Sequence, residues 1–210
     1  MSPRPEAQFV ERFTRAERWV HRTTATLMTT ALVTAAFLYL PLLAELVGRR
    51  RLVETVHEWT GVLLPVPLAV GLFFRAVRTD LRRLNRFGPH DKGWIRRAMR
   101  HGTGEAGPAG KFNAGQKVYA ALIAGATLVM VGTGLVLWFP YLASGEVRTG
   151  STFAHDWFAL VIGVLVLGHV RMAKQDPEAR RGMRTGKVSR RWARREHALW
   201  EYETKENAAR

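Results

Sequence analysis

Residues 153–170 read FAHDWFALVIGVLVLGHV and are closed by Arg171. From Trp157 to Val170 there is no charged side chain, and as an α-helix the stretch rises about 1.5 Å per residue, enough to cross most of a hydrocarbon core about 30 Å thick. Histidine stands at both ends, at His155 and His169. Fourteen residues turn a helix through nearly four full turns, so the two imidazoles point within about 40° of each other and lie about 21 Å apart along the axis. One helix face thus carries ionisable side chains at two depths, where such groups are costly and usually functional.

Three further stretches have the same character. Thr23 to Ala44 is uncharged; a second begins at His57 and runs apolar to Arg75, with Pro65 and Pro67 predicting a kink; Val118 to Gly145 is a third, leaving the bilayer at Trp138, Phe139, Pro140 and Tyr141. The sequence therefore predicts an all-α integral membrane protein, a four-helix transmembrane bundle with short cytoplasmic interfacial helices. The expected organisation is a cytoplasmic N-terminal segment 1–22, a transmembrane domain 23–174 with spans near 23–47, 55–77, 116–141 and 153–172, and a basic cytoplasmic tail 175–210.

The charge distribution orients these spans. Of 32 Lys and Arg, 28 fall before the first span, between Arg75 and Lys117, or after Val170, and only Arg49, Arg50, Arg51 and Arg148 fall on the other side. Positively charged loops stay in the cytoplasm, so a multi-pass protein of the cytoplasmic (inner) membrane with both termini inside is predicted. A cleavable signal peptide does not fit, because the first apolar stretch is long and follows Glu6, Glu11 and Glu17. The same asymmetry accounts for the net charge of +15 without nucleic acid. Cysteine is absent, which excludes disulfides, thiolate metal sites, iron–sulfur ligation and covalent c-type haem.

With this orientation His57 opens the second span at the outer side, level with His155, and His21 precedes the first span at the inner side, level with His169. Two bis-histidine sites at two depths are what two haems b require, each iron taking one imidazole from each of two helices. Zinc would lack two of its usual four ligands, and Glu58 and Asp156 point about 100° from their neighbouring histidines. Proton or metal transport, and a haem-free anchor, are the alternatives. His90, His101 and His197 lie in basic segments and are read as solvated. Residues 91–101 predict a helix on the membrane surface, with Trp94, Ile95 and Met99 on one face and Arg96, Arg97 and Arg100 on the other. Gly102 to Gly107 fits GxGxxG in letters, but no strand precedes it, so it is read as a loop.

Several motifs resemble a known family. Glu17-Arg18-Trp19-Val20-His21 is similar to its opening Glu-Arg-x-x-His, Gly110-Lys111-Phe112-Asn113-Ala114-Gly115-Gln116-Lys117 to its Gly-Lys-Tyr-Asn-Ala-Gly-Gln-Lys, and Gly186 to Ala193 to its cytoplasmic tail. The family is that of the gamma, or cytochrome b, subunit of quinone-linked formate dehydrogenase, within the prokaryotic cytochrome b561 and hydrogenase cytochrome b group. Arg22 departs from the tryptophan common in relatives, and Glu196-His197 replaces a His-His pair.

The resemblance implies that electrons from a catalytic alpha subunit and an iron–sulfur beta subunit pass to menaquinone or ubiquinone near Asn113, Gly115 and Gln116, with His169 nearby. Without it, Asn113 reads as the N-cap of the third span. A free-standing quinol-oxidising cytochrome is the rival within the group. Arg49, Arg50 and Arg51, on the sparsely charged side, are expected to meet haem propionates or an acidic patch on a partner; a solvated loop is the other reading.

Overall fold

In the computed structural model residues 8–101, 107 and 109–200 are described. The order is β1 (Phe9–Glu11), α1 (Arg15–Tyr39), α2 (Pro41–Val47), α3 (Arg50–Leu63), α4 (Val66–Gly71), α5 (Arg75–Leu84), α6 (Pro89–His101), α7 (Ala114–Trp138), a 3₁₀ turn (Pro140–Leu142), α8 (Gly145–Gln175), α9 (Pro177–Thr185), β2 (Lys187–Ser189) and α10 (Arg190–Glu196). The chain divides into two compact units. One comprises Trp19–Phe74 and Leu122–Val170, the other Met1–Arg18, Arg75–Ala121 and Arg171–Arg210.

The first unit is apolar and helical. Helices α7 and α8 are each long and apolar enough to cross a membrane; α1 with α2, and α3–α4 with α5, qualify only as bent pairs, giving two to four spans. Leu128, Val164 and Leu167 are exposed along α7 and α8, the outward apolar surface that lipid accepts and water does not. Inside, Met28, Leu64, Ala126 and Ile162 form a buried layer, ringed by Leu27, Ile123, Met130 and Phe158.

The spans differ from expectation in their ends. The first stretch is not one straight helix: Pro41 lacks an N–H and holds Leu40 extended, so α1 stops at Tyr39 and α2 turns away by 102° before Gly48 closes it at φ +61°. The second starts earlier, at Arg50. A turn at Leu64–Pro65 separates α3 from α4, as the two prolines predict, but the helix then breaks again after Gly71, and α5 begins only at Arg75, so no single helix reaches residue 77. The fourth begins at Gly145, eight residues before the predicted start, so His155 sits well inside α8.

The second unit contains the only β-structure among the described residues, against the all-α expectation. Strands β1 and β2 pair antiparallel, with Val10 opposite Val188, and tie the N-terminal segment to the tail. Val10, Val188, Trp192, Ala193 and Trp200 form its core. Gly186, at φ +88°, caps α9, and a Cβ there would come within 2.5 Å of the Phe13 carbonyl, so only glycine fits. Asp176 caps α9 and Ser189 caps α10, each accepting a backbone N–H of its own helix.

Helix α6 forms as predicted, but its Trp94 is buried against Ala109 and Ala114, while Met99 is 84% exposed, so the expected apolar face is split. The glycine-rich stretch 102–106 and the His101 side chain lie outside the described residues.

Candidate functional site

Two pairs of histidines face each other within the apolar unit. His21 of α1 and His169 of α8 have ring centroids 6.3 Å apart; His57 of α3 and His155 of α8 have centroids 6.2 Å apart. All four sequence-predicted residues are thus brought together in the expected combination. An imidazole binds a metal through one ring nitrogen at about 2 Å, so two rings with centres about 6 Å apart would leave room for one metal ion between them. Both pairs meet that spacing, so the residues present fit a bis-imidazole haem iron at each level. Among the described residues, no group of three or more His, Asp or Glu is disposed to hold a metal ion.

The His57–His155 pair is held by hydroxyls from neighbouring helices. Thr34 Oγ1 of α1 lies 3.0 Å from His57 Nδ1, which is also 3.2 Å from the Ala31 carbonyl; Thr133 Oγ1 of α7 lies 2.9 Å from His155 Nδ1. Gly134 gives His155 room, since a Cβ there would stand 3.3 Å from its Cε1. Midway along α8, Ile162 is 2% exposed and separates the two histidine levels with the rest of the apolar layer. Trp59 packs edge-on against Trp138, which stacks on Phe139. Arg50 pairs with Glu54 at 2.9 Å on an exposed surface and reaches the Leu38 carbonyl at 3.4 Å.

The residues expected to meet quinone belong to the other unit. Asn113 and Gln116 form a reciprocal capping box at the start of α7: Gln116 N–H donates to Asn113 Oδ1 at 2.9 Å, and Asn113 N–H donates to Gln116 Oε1 at 3.0 Å. This is the capping role the bare sequence suggests, and it leaves the Asn113 amide nitrogen outside the box. Gly115 lies under Trp94, whose ring would be 3.1 Å from a Cβ.

Beside the capping box is a charged cluster that sequence reading passed over. Lys111 donates to Glu17 Oε1 at 2.8 Å and Asp80 Oδ2 at 2.6 Å, all three nearly buried, on the wall of an open cleft of about 520 Å3 lined also by Arg12, Arg75 and Arg83. Burial would raise the Glu17 pKa, but hydrogen bonds with Asp80, Lys111 and Thr14 and the Lys111 charge bring it down to about 2. Asp80 goes the other way, to about 7, through burial and its hydrogen bond with Glu17, only partly offset by Lys111.

His197 contradicts its reading as a solvated residue. It is 3% exposed; Nδ1 donates to the Gly110 carbonyl at 2.6 Å, and Nε2 accepts from Arg12 Nη2 at 3.1 Å. Burial and the Arg12 charge push its pKa down to about 3, against the pull of the Gly110 carbonyl. Arg12 also donates to the Lys111 carbonyl at 2.7 Å and lies over the Trp192 ring. The Gly110–Lys111 segment is therefore gripped by residues from both ends of the chain, a relationship that local spacing does not announce.

The family model described as prokaryotic cytochrome b561 matches residues 12–183. The nitrate-inducible formate dehydrogenase cytochrome b556(Fdn) subunit of Escherichia coli K12 is 28% identical over 164 residues, covering 75% of this chain and 73% of the relative. The formate dehydrogenase cytochrome b556(fdo) subunit of the same strain is 28% identical over 199 residues, 91% of each chain. A formate dehydrogenase cytochrome b556 subunit of Haemophilus influenzae is 25% identical over 166 residues, 75% of this chain and 66% of the relative. With most of its length matched and an apolar helical unit holding its paired histidines, the chain belongs to the prokaryotic cytochrome b561 family and is a haem-binding, electron-transferring membrane protein.

Proposed function

We propose that this chain is the two-haem cytochrome b subunit of a formate dehydrogenase-type complex, carrying electrons from an iron–sulfur partner on the outer face to menaquinone or ubiquinone near the cytoplasmic side. The observation that carries the reading is the matched spacing of His57 with His155 and His21 with His169, at two levels of one helix. The names of the relatives, all formate dehydrogenase cytochrome subunits, favour that complex over a free-standing cytochrome.

In this reading residues 1–22 and 175–210 are cytoplasmic, residues 23–174 carry the four spans, and both termini are inside. The Lys and Arg asymmetry supports it. When bound, haem supplies a reversible one-electron couple at each histidine level. The chain's own part is to fix the imidazoles, to keep the layer between them apolar, and to offer quinone a polar edge at Asn113, Gly115 and Gln116. Quinone carbonyls gain charge on reduction and require nearby donors, which the Asn113 amide and the backbone at the start of α7 provide. Moving one elementary charge across the whole membrane is worth about 2.3 kcal/mol per 100 mV, so inward electron flow stores redox energy as potential. Substrate oxidation falls to the alpha subunit, and Arg49, Arg50 and Arg51 are assigned to haem propionates or an acidic partner surface.

Pyridine haemochrome analysis and optical spectra of detergent-purified protein test the reading. Two haems b per chain are expected, one lost in both His57→Ala and His155→Ala and the other in both His21→Ala and His169→Ala. Haem in the absence of large soluble partners favours a free-standing cytochrome. A colourless protein from haem-replete cells overturns the reading in favour of transport or anchoring.

A further inference from the structure

We propose that Thr34 and Thr133 are positioning residues for the outer histidines, each accepting the Nδ1–H of an imidazole so that its bare Nε2 faces the space between His57 and His155. The inference rests on the two-haem reading for its consequence, though not for its geometry. A threonine hydroxyl has one proton. Thr34 is 2.8 Å from the Thr30 carbonyl and Thr133 is 2.7 Å from the Val129 carbonyl, acceptors that take those protons. Each oxygen is left with lone pairs only, and the histidine nitrogen beside it must be the donor.

For His57 there is an independent check. Its Nδ1 also lies 3.2 Å from the Ala31 carbonyl, which can only accept, so the proton is on Nδ1. In both cases the acceptor comes from a neighbouring helix: α1 serves α3, and α7 serves α8. The ring is held from outside its own backbone. An acceptor on the far nitrogen also makes Nε2 a stronger base, which favours the more positively charged, oxidised iron. The pair therefore keeps the outer centre at a lower potential than unsupported imidazoles would, which favours electrons leaving it for the inner level.

The two threonines are not equivalent. Loss of the Thr34 hydroxyl leaves His57 the Ala31 carbonyl; for His155, Thr133 supplies the hydrogen bond to Nδ1. Valine removes each hydroxyl and keeps the shape. Nitrogen-15 NMR of histidine-labelled, haem-free protein is expected to show His155 as the Nδ1–H tautomer, with the Nε2–H form growing about tenfold in Thr133→Val and returning to the wild-type level in Thr133→Ser. In haem-loaded protein, potentiometric titration should show the outer midpoint rising in Thr133→Val, less in Thr34→Val, and restored in Thr133→Ser. A folded Thr133→Val with unchanged tautomer and midpoint overturns the proposal. A wild type with the Nδ1–H tautomer but no haem overturns the two-haem reading and leaves the positioning role standing.

Discussion

Lys111 Nζ lies 2.6 Å from Asp80 Oδ2, 31 residues away in sequence, and the same ammonium reaches Glu17 at 2.8 Å. One buried cation thus joins the start of α1, the middle of α5 and the approach to α7. Removing a partner from a buried ionic cluster strands the others, at about 3–5 kcal/mol. Lys111→Met is expected to destabilise the protein by about 3 kcal/mol, near the low end because Asp80 can take a proton. Thermal unfolding in detergent measures this, and adding Asp80→Asn should recover part of the loss.

The two carboxylates give the cluster a pH signature. Asp80 has a folded pKa of about 7, above its ordinary value of 3.8, so its contribution is present below about pH 4 and is lost as pH rises towards 7. Glu17, lowered from 4.5 to about 2, contributes above 4.5 and loses that only in stronger acid. Between about pH 4 and about pH 7, wild type should therefore lose stability relative to Asp80→Asn. Parallel melting curves of the two proteins would expose a wrong assignment.

His197 titrates in the opposite sense. Its pKa falls from 6.5 to about 3 on folding, so the stability it lends is whole above about 6.5 and drains away as pH falls towards 3. Acidification should loosen the tail around Trp192 and Trp200, seen as a change in tryptophan emission and faster proteolysis near Arg190–Arg195. His197→Gln can still donate to Gly110 and accept from Arg12 without titrating, and should resist the acid. His197→Ala should loosen the tail at neutral pH.

Asn113 is a helix cap and, in the proposed function, also a quinone ligand. Aspartate caps a helix about as well as asparagine, but an ionised carboxylate offers no N–H. Asn113→Asp should keep stability within about 0.5 kcal/mol of wild type and slow haem reoxidation by a quinone analogue by about tenfold. Unchanged reoxidation would assign Asn113 to capping alone.

The histidine pairs are legible because helical period and charge asymmetry are local properties of sequence: fourteen residues between His155 and His169 set a shared face, and the charge asymmetry suggests which histidines lie level with each other. Other features are not. The start of α8, Gly145 to Thr152, is polar and glycine-containing and reads as a loop, although the backbone continues helically. Pro41, by contrast, is a local signal, and it ends α1 at Tyr39. Strands β1 and β2 are three residues each and nearly 180 apart, too short to show a period, and their pairing is decided by tertiary contacts. His197 lies among arginines and looks solvated; its partner Arg12 is 185 residues away. Thr34 and Thr133 give no signal of their own, being hydroxyls among many in membrane helices.

The apolar layer of Met28, Leu64, Ala126 and Ile162 has an electrical consequence. Ile162 is seven residues from His155 and seven from His169, so about 10 Å of helix on either side contains the layer. A hydrated ion entering it would lose its solvent and find no side-chain partner, a cost of several kcal/mol at least. On the two-haem proposal the layer is an insulator inside a conductor: an electron would pass between the two levels while a proton could not follow, and the voltage raised by each transfer would not be short-circuited through the protein that raised it.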